Sequence, residues 1–118
     1  MNSMLPAFVL DRASILERLG DDLEIYPMML DMFLQDVENN CNSLATSLSA
    51  GDMPTLLREV HTVKGLLATF SDDAGSAEAL RMEMQLRRGD SSCMAEAVAA
   101  LQARLREVAG ILASEVAG

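Results

Sequence analysis

Apolar residues recur every three or four positions along much of this chain. The first long stripe is Tyr26, Leu30, Phe33, Val37, Cys41, Leu44 and Leu48. Two more are Leu56, Val60, Val63, Leu67 and Phe70, and Met94, Val98, Leu101, Leu105, Val108 and Leu112. Because an α-helix has about 3.6 residues per turn, each stripe lies on one face of a helix. Helices with one apolar face bury those faces against one another, so the pattern predicts an all-α bundle.

Start and stop signals divide the chain into five predicted helices. They cover residues 11–19, 23–49, 53–70, 76–88 and 92–115, after an N-terminal extension of residues 1–10. Asp11 is a good N-cap for the first helix. The residues of the fourth helix expected to face inward are Ala77, Leu80 and Met84. Long helices with short connections predict one domain over residues 1–118, an antiparallel four-helix bundle whose short extra N-terminal helix covers one end.

The composition argues against several classes of function. The 118 residues carry a net charge of -9, so the surface repels nucleic-acid phosphates and anionic membranes. No apolar stretch is long enough for a membrane span, and Met1–Leu10 lacks the basic and apolar regions of a signal peptide. Cys41 and Cys93 show no metal-binding spacing. We expect both to be small buried hydrophobes with reduced thiols, which fits a cytoplasmic protein.

His61 is the only histidine of the chain. The apolar stripe of the third helix uses other positions, and His61 lies about 100 degrees round the helix from that stripe. We therefore expect its side chain to be at least partly exposed on the side of the bundle. Lys64 and Gly65 follow three and four residues later, so both are neighbours of His61 on the helix surface.

These three residues together suit phosphoryl transfer. A neutral imidazole nitrogen is a nucleophile near neutral pH and can attack the phosphorus of an aspartyl phosphate. The ammonium group of Lys64 can stabilise charge on the transferring oxygens, and Gly65 removes a side chain where a partner must approach. Each residue alone has an ordinary explanation, because surface histidines are common and a mid-helix glycine can simply permit close helix packing. The hypothesis depends on all three residues occurring as one unit.

The run from His61 to Gly65 matches the pattern H-x-x-K-G, and the chain resembles the histidine-containing phosphotransfer (HPt) domains of two-component phosphorelays. The resemblance extends over nearly the whole chain. In the second helix, the segment Leu30–Asp36 matches the family's L-x-x-F-x-x-D pattern. The resemblance implies that His61 is the phosphoacceptor, that Lys64 stabilises the phosphoryl group, and that Gly65 leaves this group accessible.

The resemblance also implies a reaction and partners. His61 would accept a phosphoryl group from a receiver-domain aspartate of a hybrid sensor kinase and pass it to the aspartate of a response regulator. Such a domain is a carrier without autonomous turnover; it needs no cofactor, and the Mg²⁺ of aspartyl chemistry belongs to the receiver. We expect a monomer that docks receivers on a patch of its second and third helices. The candidate partner-binding residues are Leu57, Arg58, Leu66, Ala68, Leu34 and Gln35.

The chain departs from the family's usual pattern just after the motif. Leu66 and Leu67 follow the glycine, where small residues are usual. Ser71 stands where a second glycine is usual, and the next glycine is Gly75. We therefore expect the connection from Ser71 to Gly75 to be a few residues longer than in the family.

Two alternative functions remain open at this point. In the first, an ATP-dependent histidine kinase domain phosphorylates His61 directly; the chain itself has no ATP-binding signature and cannot use ATP. In the second, the bundle is a helical adaptor that does no chemistry. The adaptor hypothesis predicts a His61 side chain that is buried or fully occupied by hydrogen bonds.

Overall fold

The computed structural model describes residues 5–117, so the first four residues of the expected N-terminal extension lie outside the described residues. This part of the chain forms five α-helices and no strand, which confirms the all-α prediction. The helices are α1 (Arg12–Arg18), α2 (Ile25–Ser49), α3 (Met53–Thr69), α4 (Asp73–Arg87) and α5 (Met94–Ala117).

The four long helices form the bundle. Helix α3 packs on α4, α4 on α5, α5 on α2 and α2 on α3, so the helices close into a ring. The predicted stripes of α2, α3 and α5 are buried in the middle of this ring, except that Leu48 is half-buried. Their apolar surface supplies the main driving force for folding. His61 lies near the middle of α3 and therefore on the side of the bundle rather than at an end.

Helix α4 begins earlier than its sequence suggested. Asp72 is its N-cap and accepts a hydrogen bond from the backbone N–H of Gly75. The helix therefore starts at Asp73, and the prediction of a start at residue 76 was wrong. The expected long connection from Ser71 to Gly75 was wrong for the same reason, because Gly75 lies within the helix. Ser71, which stands where the family usually has a glycine, has a left-handed backbone with a φ of 61°, a conformation that glycine adopts most easily.

The inward face of α4 also differs from the prediction. Ala77, Leu80 and Met84 are exposed, not buried. The buried residues of the helix are Gly75, Ala79, Met82, Glu83 and Leu86. Two of these are very small and one is charged, so a search for large apolar residues at helical spacing selected the wrong face.

The short helix α1 covers one end of the bundle. Ile15 is fully buried, while Ser14 and Arg18 form hydrogen bonds with the hydroxyl of Ser71 in the α3–α4 connection. At the same end, Arg104 of α5 makes two hydrogen bonds of 2.7 and 2.8 Å to the carboxylate of Asp72. Both partners of this ion pair are almost completely buried, so α5 is fixed to the start of α4.

The two cysteines have different environments. Cys41 is buried as predicted, but Cys93 is exposed in the connection before α5, where its φ of 57° is left-handed. The prediction that both are buried was therefore wrong for Cys93, because the regular spacing of α5 begins only at Met94. Among residues 5–117, no group of three potential metal ligands is found, and no helix is long and apolar enough to cross a bilayer.

Candidate functional site

His61 projects from the side of α3. Asp52 caps the start of this helix by accepting a hydrogen bond from the backbone N–H of Thr55, and Pro54 lies in the first turn. The buried stripe of α3 then fixes the rotation of the helix, and this rotation turns His61 outward. The His61 side chain is 60% exposed, which confirms the exposure predicted from its helical position.

His61 and Lys64 both contact one carboxylate group of α4, that of Glu83. Nδ1 of His61 lies 3.0 Å from Oε2 of Glu83. The Lys64 ammonium donates a hydrogen bond of 2.6 Å to Oε1, and Nη2 of Arg87 donates one of 2.8 Å to Oε2. The Glu83 side chain is only 5% exposed, so this carboxylate is a nearly buried acceptor below three surface donors.

The pKa of Glu83 shows which form this carboxylate takes. The hydrogen bond from Lys64 has the largest effect, followed by that from Arg87; with the bond from His61 they lower the pKa from 4.5 to about 2. Burial acts in the opposite direction and is outweighed. Glu83 is therefore ionised at neutral pH, and an ionised carboxylate can only accept hydrogen bonds.

The hydrogen bond to Glu83 determines the tautomer of the His61 ring. Because Glu83 only accepts, Nδ1 of a neutral ring must carry the hydrogen, and the lone pair lies on Nε2. A neutral imidazole with a free Nε2 lone pair is a nitrogen nucleophile. The exposed ring presents this nucleophile beside a carboxylate that can stabilise positive charge on it.

A shallow depression of about 260 Å³ lies beside His61, between the start of α3 and the end of α4. Its lining residues are Pro54, Leu57, Arg58, His61 and Arg87. Two guanidinium groups thus border an exposed imidazole, in a chain with twice as many acidic as basic residues. The depression has the charge and position to receive an anionic group.

Gly65 lies on the exposed surface of α3, one turn after His61. A Cβ atom placed on this residue would meet no atom within 4 Å, apart from its own helix's backbone and chain neighbours. Close packing inside the described part of the chain therefore does not explain this glycine. Open space above the backbone remains next to the imidazole, as the access hypothesis requires.

The other predicted partner-binding residues fall into two groups. Leu57 and Arg58 border the depression beside His61, Leu66 lines a groove between α2 and α3, and Ala68 is half-buried on α3. Leu34 and Gln35 do not line that groove. Leu34 lies one turn before Glu38 on α2. Because Glu38 is ion-paired to Arg106 of α5, Leu34 lies on the α5 side of α2.

Sequence reasoning missed four residues that surround His61 or line the nearby groove. Glu83 was overlooked because no spacing rule joins it to a histidine on another helix. The feature that marks Glu83 is its charge, since the other buried residues of α4 are small or apolar. The sequence also did not predict Arg87, which donates a hydrogen bond to Glu83, or Met29 and Met32, which line the α2–α3 groove.

Comparison with known proteins gives a family and a fold. The sequence profile of the Hpt domain family matches residues 28–111, whereas no curated protein sequence matches the chain. The crystal structure of histidine-containing phosphotransfer protein B (HptB) from Pseudomonas aeruginosa PAO1 superposes with a TM-score of 0.81 at 23% identity, covering 91% of this chain and 93% of that one. The HPT domain of a sensor hybrid histidine kinase from Shewanella gives a TM-score of 0.80 at 17% identity, covering 92% and 93%.

At these identities the two structures show the fold alone. The profile match covers more than half of the chain, and it includes the motif from His61 to Gly65 as well as Glu83. The chain therefore belongs to the Hpt domain family, whose members are phosphotransfer modules of two-component signalling.

Proposed function

We propose that this protein is a phosphorelay intermediate and that His61 is its phosphoacceptor. His61 takes a phosphoryl group from the receiver aspartate of a hybrid sensor kinase and passes it to the aspartate of a response regulator. The observation that carries this proposal is the contact of 3.0 Å between Nδ1 of His61 and the ionised Glu83 carboxylate. That contact leaves Nε2 of an exposed ring as the nucleophile.

The proposed transfer step forms one bond and breaks another. Nε2 attacks the phosphorus of the aspartyl phosphate, the P–O bond to the aspartyl group breaks, and the carboxylate leaves with the electron pair. Nε2 carries no hydrogen, so the step needs no general base, and Nδ1 keeps its hydrogen bond to Glu83. The phosphorylated ring is positively charged, and the adjacent carboxylate stabilises it. Attack by a second aspartate on the same phosphorus reverses the step.

We propose that the cations around His61 stabilise the transferring phosphoryl oxygens. Lys64 is held beside the ring by its bond to Glu83, and Arg58 and Arg87 border the adjacent depression. Phosphoryl transfer requires little covalent participation by the protein, so positioning and charge stabilisation account for most of the catalysis. Gly65 gives the incoming receiver access to the phosphorus. The protein acts as a carrier, and the Mg²⁺ of the reaction belongs to the receiver.

We further propose that the receiver docks on the α2–α3 side of His61. A groove of about 170 Å³ lies between these helices, and its lining is mainly apolar. Its lining residues include Met29, Met32, Phe33 and Leu66. Met32 is more than half exposed, so a receiver that covers it gains apolar burial. In this proposal Met29 and Met32 replace Leu34 and Gln35, while Leu57, Arg58, Leu66 and Ala68 remain partner-binding residues.

Transfer from a receiver carrying labelled phosphate tests the role of His61. We expect label on the wild-type protein, stable in base and lost in acid, and none on the His61→Gln variant. Circular dichroism of the variant confirms that the bundle is intact. Label that persists on His61→Gln would refute the assignment.

The two alternative functions give different outcomes in the same experiment. A kinase domain with ATP and no receiver labels the protein only if phosphorylation is direct. This experiment therefore shows whether the phosphodonor is the kinase domain or a receiver domain. The adaptor hypothesis predicts no acid-labile label from any donor. It also predicts a buried or saturated histidine, and the exposed His61 ring, with one contact at Nδ1, does not support it.

A further inference from the structure

The outward face of α4 carries apolar side chains that the described part of the chain leaves uncovered. Leu80 is 43% exposed and Met84 is 51% exposed, and Ala77 is exposed one turn earlier. These residues are three, four and seven positions apart, so they form a continuous stripe along the helix. About half of the surface of Leu80 and Met84 gains no burial within the bundle, and a continuous exposed apolar stripe is typical of a contact surface.

Basic residues border this stripe on both sides. Residues 77–88 contain three arginines and two glutamates, and the glutamates Glu78 and Glu83 are ion-paired within α4, which leaves Arg88 without an acidic counterpart in this stretch. By helical geometry Arg87 lies along the edge nearest His61, and Arg81 and Arg88 lie along the opposite edge. Three arginines against two glutamates give this stretch a net charge of +1, in a chain whose net charge is -9. We call Ala77, Leu80, Arg81, Met84 and Arg88 the α4 face.

The α4 face continues into the site around His61. Arg87 donates a hydrogen bond to the same Glu83 carboxylate that contacts His61, and it also lines the depression beside the imidazole. A protein that covers the α4 face therefore reaches His61 without crossing the rest of the bundle. The α2–α3 groove lies on the other side of α3 and includes the acidic Asp36 in its lining. The two sides of His61 thus offer different chemistry.

We propose that the α4 face is a second docking surface, and that its partner is a receiver domain with an apolar patch edged by carboxylates. Apolar contact with Leu80 and Met84 contributes burial, while Arg81 and Arg88 attract the carboxylates and orient the partner. A negatively charged partner is otherwise repelled by this acidic chain, so the arginines also determine which side of His61 it approaches. The identity of the partner as a receiver rests on the proposed function.

Binding and transfer are tested separately with the full chain and the complete set of receiver domains from the source genome. Backbone amide shifts are recorded on the isotope-labelled His61→Gln protein during titration with each receiver, because binding needs no transfer. We expect at least one receiver to shift the amides of residues 77–88. For that receiver, Arg81→Glu raises the Kd about tenfold at low salt, and the difference shrinks as ionic strength rises.

Arg106→Glu is the matched control for charge. Arg81 and Arg106 are both exposed arginines, with side chains 68% and 52% accessible, and each is ion-paired to a glutamate of the same chain. We expect the Arg106 variant to change the Kd less than twofold. Met84→Gln tests the apolar contribution, and Leu23→Gln at the end of the bundle is its control, since Leu23 is also exposed. Labelling of His61 by phosphoramidate, a small phosphodonor, checks that these variants keep a reactive site.

The outcomes separate this inference from the proposed function. Receivers that label His61 but leave residues 77–88 unshifted would overturn the α4 face and leave the relay standing. Receivers that bind the α4 face but transfer no phosphate to the wild type would overturn the relay alone. Equal effects of the Arg81 and Arg106 variants indicate only a general charge effect and contradict the surface. Shifts of residues 77–88 that depend on protein concentration without receiver indicate a second copy as partner and also contradict it.

Discussion

Replacing Glu83 with glutamine tests how the carboxylate supports His61. Glutamine keeps an oxygen that can accept the hydrogen of Nδ1, so the tautomer with the Nε2 lone pair remains available. On the proposed function, the substitution removes the negative charge that stabilises the phosphorylated, positively charged ring. Glu83→Ala removes both the acceptor and the charge. The two variants therefore separate the orientation of the imidazole from the electrostatic stabilisation of the product.

The size of the effect follows from the hydrogen bond of 3.0 Å between the ring and Glu83. A hydrogen bond to a charged group contributes about 1 kcal/mol more than a neutral one. A barrier change of about 1.4 kcal/mol alters a rate tenfold. We therefore expect Glu83→Gln to slow transfer from a phosphorylated receiver about fivefold to tenfold. Glu83→Ala, which also loses the preference for one tautomer, should slow it about a hundredfold.

Rapid-quench measurement of phosphoryl transfer gives the rate, and nitrogen NMR of the imidazole gives the tautomer. We expect hydrogen on Nδ1 in the wild type and in Glu83→Gln, and a mixture of tautomers in Glu83→Ala. Glu96→Gln on α5 is the control, because it removes one exposed carboxylate that forms no hydrogen bond or ion pair with His61. The reasoning fails if both Glu83 variants transfer within twofold of the wild type, or if wild-type Nδ1 carries no hydrogen.

Three further predictions concern stability and access. The pKa of Glu83 falls from its ordinary value of 4.5 to about 2 in the folded protein. This shift stabilises the folded state by about 3 kcal/mol before solvent screening and by about 1–2 kcal/mol after it. Because the pKa is lower in the folded state, this stabilisation is present above pH 4.5 and is lost as the pH falls towards 2. Urea unfolding of the wild type and Glu83→Gln should show that their difference in free energy of unfolding disappears over this pH range. Gly65→Ala should raise the free energy of unfolding by about 0.5–1 kcal/mol and slow transfer, and equal transfer rates would contradict the access role. Asp72→Ala should lower the free energy of unfolding by about 3 kcal/mol, because the buried Arg104 loses two hydrogen bonds to a carboxylate and keeps only its contacts with Glu107 and the carbonyl of Pro6. Asp72→Ala with Arg104→Met should recover much of this loss in thermal unfolding.

The sequence correctly predicted the buried faces of the helices that carry large apolar residues at regular spacing. The stripes of α2, α3 and α5 place large apolar residues wherever the helix meets the core, so spacing alone located their buried faces. The outward position of His61 followed from the same argument, because the rotation of α3 is fixed by its stripe. Helix α4 did not follow this rule, since Gly75 and Ala79 let it pack closely on its neighbours without large side chains.

The residues around His61 were harder to predict than the fold. Lys64 and Gly65 lie within one turn of His61, so helical geometry identified them as neighbours. Glu83 is on another helix, and its distance from His61 depends on how α3 and α4 are paired and aligned. A sequence pattern carries no information on that alignment. The buried carboxylate that determines the tautomer therefore emerged only from the three-dimensional structure.

Helix α4 combines two features that weaken a bundle, and both lie next to His61. It buries the carboxylate of Glu83, which is favourable only because Lys64, His61 and Arg87 donate hydrogen bonds to it. It also exposes about half of the surface of Leu80 and Met84, and that exposed part contributes nothing to folding. A leucine in place of Glu83 and polar residues at the two exposed positions would suit a stable bundle better. On the proposed function the exceptions have one explanation: the inner side of α4 prepares the imidazole for phosphorylation, and its outer side receives the protein that exchanges the phosphoryl group.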